Sequence, residues 1–148
     1  MQRGAWPIVV AACAALAGCL DDQQAVRSDE PSYTMVFFAS DSVSLSKRAQ
    51  AQLNHTVSDP TLPIKAALQP NSKARVCVTG HSDRVGPEPV NKEVAQRRAD
   101  VVAKYLVGLG VPQDRIVSAS LGSSKPLVVT PPNTPETSNR RVEVVFGC

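Results

Sequence analysis

Between Tyr33 and Gly147 the apolar residues repeat at every second position, then at every third or fourth, then switch back, and few folds accommodate that order. "YTMVFFA" (Tyr33 to Ala39) is β-branched and aromatic and reads as a buried strand. "SLSKRAQAQLNHTVSD" follows, with Ser44 or Ser46 as N-cap and Leu45, Ala49, Leu53 and Val57 at fourfold spacing, which predicts a helix. "PTLPIKAALQPNSK" holds three prolines and reads as a connection. "ARVCVTG" is a second strand, "HSDRVGPEP" a loop, and Asn91 to Leu109 a long helix stopped by Gly108 and Gly110. "DRIVSASLG" is a third, shorter strand, and after a proline-rich loop "NRRVEVVFG" alternates as a last one. This order predicts an α/β domain, an α+β sandwich with two main helices packed on one face of a four-stranded mixed β-sheet. Helical crossovers favour some parallel pairing within that sheet.

The domain does not use the whole 148-residue chain. Arg3 precedes the uncharged run "GAWPIVVAACAALAG", which is too short for a membrane span of about 20 residues and has the layout of an export signal. Its end, "LAGC", resembles the lipobox of bacterial lipoproteins, in which the signal is cut before the cysteine and that cysteine carries the lipid. The resemblance implies a signal peptide over 1–18, acylation of Cys19 by palmitate-like chains, and a stable hold on a bilayer. Leu20 after the cysteine, rather than Asp, implies sorting to the outer membrane with the domain facing the periplasm. Residues 19–32, polar and without apolar period, form a tether that reaches roughly 45 Å when extended. The folded domain then runs over 33–148.

Composition limits the function classes. The net charge is +3, of which Arg3 leaves with the signal, and aromatic residues make up only 4% of the chain. A basic stripe with interleaved stacking aromatics is missing, so nucleic acid is not an expected partner. Cys13 also leaves with the signal and Cys19 is assigned to lipid, so Cys77 and Cys148 remain. In an oxidising periplasm they either pair as a disulfide or stay as thiols, and strand order cannot be read from sequence to decide between the two.

Two arginine doublets carry the functional signal. On the long helix Val94, Val101, Tyr105 and Leu109, with Val102 and Leu106 beside them, make the expected core stripe, and Arg98 falls within it. Its neighbour Arg97 joins Glu93, Asp100 and Lys104 in a polar column and reads as a solvated surface residue. An arginine on an apolar stripe needs a partner, because a buried unpaired charge costs several kcal/mol. In the last strand Arg140 shares a face with Val142, Val144 and Phe146, whereas Arg141 shares the other with Glu143. Two inward arginines, with Asp83 where a strand feeds the long helix, form a charge cluster at one rim of the sheet, a common place for ligands.

The residues resemble the OmpA C-terminal-like peptidoglycan-binding domain, also found in peptidoglycan-associated lipoproteins. "VTGHSDRVGPEPVNKEVAQRRADVVAKYLVGLGV" is similar to its central motif, a strand ending in G-H-[ST]-D, then a loop, N-x-x-L-S-x-x-R-A and a helix. "GVPQDRIVSASLGSSKP" and "NRRVEVVF" resemble its following segment and its terminal N-R-R-V-E strand. Carried over by position, the resemblance implies Asp83 and Arg98 as ligand residues, fifteen apart, with Asn91 and Arg140 completing the lining. The implied ligand is the diaminopimelate residue of peptidoglycan stem peptides. Its side chain ends in an α-ammonium for Asp83 and an α-carboxylate that Arg98 holds through two parallel hydrogen bonds. The chain departs from the pattern at Val94-Ala95, where the motif has L-S, and at Ala39, the first acidic position of F-D-F-D-S; Asp41 remains and belongs to the ligand set. The segment before N-R-R lacks the usual G-R-A and is shorter.

The leading expectation is therefore a non-catalytic anchor without cofactor or metal, with lipid in the outer membrane and domain on the wall. One alternative is a wall-anchoring lipoprotein of an envelope-spanning secretion or motility machine; Tol-type proteins are partners the resemblance suggests. A peptidoglycan hydrolase is the rival class. His81 and Asp83 lie close together, but the only other histidine is His55, and no H-E-x-x-H or cysteine–histidine arrangement is present. His81 reads instead as a partly buried strand-end residue making structural hydrogen bonds.

Overall fold

A computed structural model describes residues 32–59, 64, 69 and 73–148. The proposed signal, Cys19 and the tether up to residue 31 lie outside the described residues. Strand β1 (Ser32–Phe37) leads into helix α1 (Lys47–Ser58), and β2 (Val76–His81) into helix α2 (Glu88–Gly108). Strand β3 (Ile116–Gly122) and β4 (Arg141–Phe146) follow, each preceded by a single 3-10 turn, at Gln113–Arg115 and Thr137–Asn139. The sheet order is β1-β4-β2-β3, so the last strand is inserted between the first and second. β4 runs antiparallel to both neighbours, while β2 and β3, joined by the α2 crossover, are parallel. This is the mixed four-stranded sheet and two-helix layer that the alternation of periods predicts.

The core lies between sheet and helices. Val36 and Phe38, Val76 and Val78, and Val142, Val144 and Phe146 supply the sheet side. Ala49 and Leu53 of α1, Ala99, Val102 and Leu106 of α2, and Ile64 supply the other. Ser46 caps α1, its hydroxyl accepting from the Ala49 N–H at 3.1 Å, which decides between the two serines. Thr34 and Thr56 hydroxyls meet at 3.2 Å and tie β1 to α1.

Helix α2 differs from the expectation in two ways. It begins at Glu88, three residues before Asn91, because Pro89 sits in the first turn, where no backbone N–H is needed and a fixed φ suits the helix. Its most buried line is also rotated: Asn91, Ala95, Arg98, Ala99, Val102 and Leu106 are buried, whereas Val94, Val101, Tyr105 and Leu109 flank them, partly exposed. The cause is close approach. A methyl group added at Gly80 would overlap the backbone carbonyl of Ala95, so the helix is pressed onto β2 where neither chain carries bulk. Tyr105 faces α1 instead, donating to Asn54 Oδ1 at 3.0 Å. The parallel pairing also slips at its end, from Gly80 opposite Ser120 to His81 opposite Gly122. Gly122 has φ +52, and a side chain there would collide with Glu88 and Lys92 in the first turns of α2.

Cys77 of β2 and Cys148, 71 positions apart in the chain, form a disulfide with Cα atoms 6.0 Å apart. Closing a loop of that length removes entropy worth about 4 kcal/mol from the unfolded chain in the chain-entropy account. Two outcomes are expected in equilibrium urea denaturation. Gly80→Ala lowers stability by at least about 2 kcal/mol through overpacking against Ala95, and Cys148→Ser lowers it by about 2–4 kcal/mol.

Candidate functional site

The close packing of α2 on β2 fixes what lies at the end of that strand. Past His81 the chain runs into Ser82, whose N–H donates to Gly122 O at 2.9 Å, and then Asp83, 8% exposed, on the helix side of the sheet edge. Arg140, also 8% exposed, enters from the turn before β4 and donates from Nη1 to Asp83 Oδ2 at 2.8 Å. Its other nitrogens are engaged too: Nη2 donates to Thr137 Oγ1 at 2.9 Å and Nε to Phe38 O at 3.3 Å. Asp83 further accepts from the N–H groups of Val85 and Glu136, both at 3.4 Å. The ion pair is thus buried with most of its hydrogen-bonding capacity used, the condition under which a buried pair does not cost more than it returns.

Arg98 is the largest side chain that is essentially inaccessible, with 2% exposure. Its guanidinium lies over the Phe38 ring, 5.3 Å from the centroid. Nε donates to Ser42 O at 2.9 Å and Nη2 to Ala39 O at 3.3 Å, both in the turn after β1. Burial, then the nearby Arg140 guanidinium, push the Arg98 pKa below its ordinary value, and the Asp83 and Asp41 carboxylates oppose them. Asp41 is exposed in the same turn, with a left-handed φ of +53. Asn91, two helical turns before Arg98 on the same face, donates from Nδ2 to Gly86 O at 3.3 Å and so ties α2 to the loop that starts at Asp83. Asp83, Arg140 and Arg98, with Asp41 at the rim and Asn91 on the loop side, therefore surround one end of the sheet. Arg97, one position from Arg98, is exposed and pairs with Glu93.

Several residues that shape this end escaped the sequence reading. Asn139, fully buried, clamps both backbone groups of Val128: its Oδ1 accepts from the N–H at 2.9 Å and its Nδ2 donates to the carbonyl at 2.8 Å. Glu88 receives the Ser123 hydroxyl, and Arg84 Nη1 donates to Thr130 O at 2.6 Å. The Glu136 side chain caps the turn that carries Thr137, accepting from Ser138 N–H at 2.9 Å. The proline-rich loop is thus pinned along its length, and its last residues furnish the Thr137 hydroxyl and Glu136 N–H that hold Arg140 and Asp83. The only sequence sign was the density of Glu, Thr, Ser and Asn just before the arginine doublet.

The opposite sheet face carries a second charged group. Arg141 is buried on the face it shares with Glu143, and donates from Nε and Nη2 to Glu143 Oε1 at 2.8 and 2.6 Å. His81, fully buried beside this pair, is not the hydrogen-bonded residue expected. Its Nε2 stands 3.6 Å from Glu143 Oε1, and neither ring nitrogen has a hydrogen-bond partner among the described residues. Asp83 lies past the end of the strand and is engaged by Arg140, whereas the imidazole stands beside Glu143, so the two do not form an acid–base couple. No group of His, Cys, Asp or Glu among the described residues is arranged to hold a metal ion.

The OmpA family profile matches residues 37–141. The peptidoglycan-binding protein ArfA of Mycobacterium tuberculosis is 39% identical over 74 residues, half of this chain, which spans only 23% of that protein's length. The peptidoglycan-associated lipoprotein of Legionella pneumophila is 30% identical over 156 aligned positions, covering 94% of this chain and 89% of that one. The crystal structure of the peptidoglycan-associated lipoprotein from Burkholderia pseudomallei superposes with a TM-score of 0.61 at 27% identity, over 76% of this chain and 88% of that one.

Burial, then the Arg141 charge, lower the His81 pKa from its ordinary 6.5, against weaker opposition from Glu143 and from the Lys125 backbone carbonyl. The folded state therefore binds this proton less readily than the unfolded chain, so the associated stability is complete above pH 6.5 and declines as pH falls below it. Urea midpoints between pH 7 and pH 5 are expected to fall in the native chain and to fall less steeply in His81→Gln; equal slopes would contradict this account.

Proposed function

The chain belongs to the OmpA family, and we propose that it is a non-catalytic peptidoglycan-binding lipoprotein that takes the diaminopimelate residue of stem peptides and so holds the outer membrane to the wall. The observation that carries this reading is a buried arginine, Arg98, at one rim with a braced aspartate, Asp83. A side-chain terminus bearing an ammonium and a carboxylate on one carbon is complementary to that pair. The carboxylate meets the Arg98 guanidinium, whose Nη1 donates to no group among the described residues. The ammonium meets Asp83, where Arg140 stays in place as a brace and leaves lone pairs on Oδ1. The Asn91 amide oxygen and the Asp41 carboxylate offer the ammonium further acceptors around the same end of the sheet.

The site supports binding rather than bond cleavage. Its acid is tied to Arg140, and the histidine nearest in sequence lies on the other face of the sheet with Arg141 and Glu143. A general acid or base needs a titrating group within hydrogen-bond reach of the reacting atom. The lipid at Cys19 and the tether of 19–32 would let the domain search the wall from the membrane surface, raising its local concentration there.

Detergent-solubilised full chain is expected to bind soluble diaminopimelate-containing muropeptides in isothermal titration calorimetry. Arg98→Ala is expected to abolish this while leaving the far-ultraviolet circular dichroism unchanged. A variant that binds as well as the native chain would sink the assignment, and release of new muropeptides from purified wall would revive a hydrolase.

A further inference from the structure

The buried ion pair of the site is joined at one point, where a guanidinium and a carboxylate favour a fork with parallel hydrogen bonds to both oxygens. Arg140 donates to Asp83 through Nη1 alone, to Oδ2 at 2.8 Å. Its Nη2, the nitrogen that would complete the fork, donates instead to Thr137 Oγ1 at 2.9 Å, and Nε donates to Phe38 O at 3.3 Å. The two oxygens of Asp83 are unequal as a result. Oδ2 accepts from Arg140 and from the Glu136 N–H. Among the described residues Oδ1 accepts a single long bond, 3.4 Å, from the Val85 N–H. The group that draws Nη2 away is local to Arg140. Thr137 opens the 3-10 turn before β4, and its carbonyl accepts from the Arg140 N–H at 3.1 Å. The Glu136 side chain caps the same turn by accepting from Ser138 N–H. Thr137 itself is exposed and stands outside the hydrophobic core.

Resting on the wall-peptide reading above, we propose that Thr137 is a positioning residue: its hydroxyl keeps Arg140 off Oδ1, so that Asp83 stays open to the ligand's ammonium group. Without the hydroxyl, Nη2 loses its acceptor and turns to Oδ1. Two charge-assisted bonds then join Arg140 to Asp83 in place of one, and the ammonium meets an aspartate already closed. The loss falls on the ligand and not on the fold, because a forked pair satisfies the buried guanidinium as fully as the present arrangement does. A site arranged for stability alone would take the fork, and the threonine hydroxyl gives up that bond to leave an acceptor for binding. The ligand's carboxylate end is untouched, since Arg98 is held by the carbonyls of Ala39 and Ser42 and not by Thr137.

The test uses full chain in detergent and two synthetic stem peptides, titrated by calorimetry. One peptide carries diaminopimelate with its side-chain end free, and the other has hydrogen in place of the amino group at that end. Thr137→Val keeps the shape of the side chain and removes the hydroxyl. It is expected to bind the first peptide about 10- to 100-fold more weakly than the native chain, the range for one hydrogen bond to a charged group. It is expected to bind the second peptide as tightly as the native chain does, and its urea midpoint is expected to equal or exceed the native one. Thr137→Ser, which restores the hydroxyl, is expected to regain native affinity for the first peptide. Unchanged binding of the first peptide by Thr137→Val overturns the proposal and leaves wall binding standing. An equal loss for both peptides, a lowered urea midpoint, or a loss that Thr137→Ser shares also overturns it, because each assigns the threonine to packing. Failure of the native chain to bind the first peptide overturns the proposed function together with the inference.

Discussion

The contact between Gly80 and the backbone of Ala95 governs the geometry of everything above it. With no side chain on the strand and only a methyl on the helix, α2 lies against β2 at a distance that a larger residue at Gly80 would forbid. That closeness turns the helix so that Arg98, one turn past Ala95, points down among core residues at the level where β2 ends and Asp83 begins. A helix standing further off would carry the same arginine into solvent, where it would be one more exposed charge like Arg97. The burial that makes Arg98 chemically unusual thus follows from a packing detail at a neutral, featureless pair of residues.

The same logic of parity sorts the charged residues into two groups on opposite sides of the sheet. Arg140 and Arg141 are adjacent, and strand alternation sends neighbours to different faces; Asp83 parts from His81 because β2 ends at His81 after a shift of register. On the helix side Arg140 braces Asp83; on the open side Arg141 holds Glu143 beside the His81 ring. Two buried clusters share one stretch of β2 and one of β4, and they serve different ends. One is organised about a cation without a counter-ion. The other is closed on itself, and its surroundings disfavour the protonated form of its histidine.

Much of this was legible in the sequence because periodicity and chemistry agree. The order of strands and helices, the division of labour between Arg97 and Arg98, and the inward direction of Arg140 follow from spacings of two and of three to four. What stayed hidden depends on distance between layers or on geometry at loop ends. Alanines at 95 and 99 carry little hydrophobic weight, so the apolar stripe pointed to Val94 and Val101 until the close approach of the sheet was known. The helix start at Glu88 lay behind a proline that reads as a breaker, although the first turn tolerates it. Asn139 and Thr137 act through bonds to backbone groups and to Arg140 across a proline-rich loop, and no local pattern announces such bonds. The burial of His81 without a hydrogen bond runs against expectation, because a strand-end imidazole would ordinarily find a partner.

The position of β4 has a consequence for the timing of folding. The last of the four strands to be made is the one that β1 and β2 both need as a neighbour, and Cys148, which locks β2, follows it. Without it β1 has no partner strand, and the core lacks Val142, Val144 and Phe146. A ribosome making this chain therefore delivers β1, β2 and β3 before the strand that joins them, with pairings spanning over a hundred residues, as at Ser32 and Phe146. Such a delay leaves β1 without a neighbour until β4 arrives, so the sheet closes last at the strand where it began.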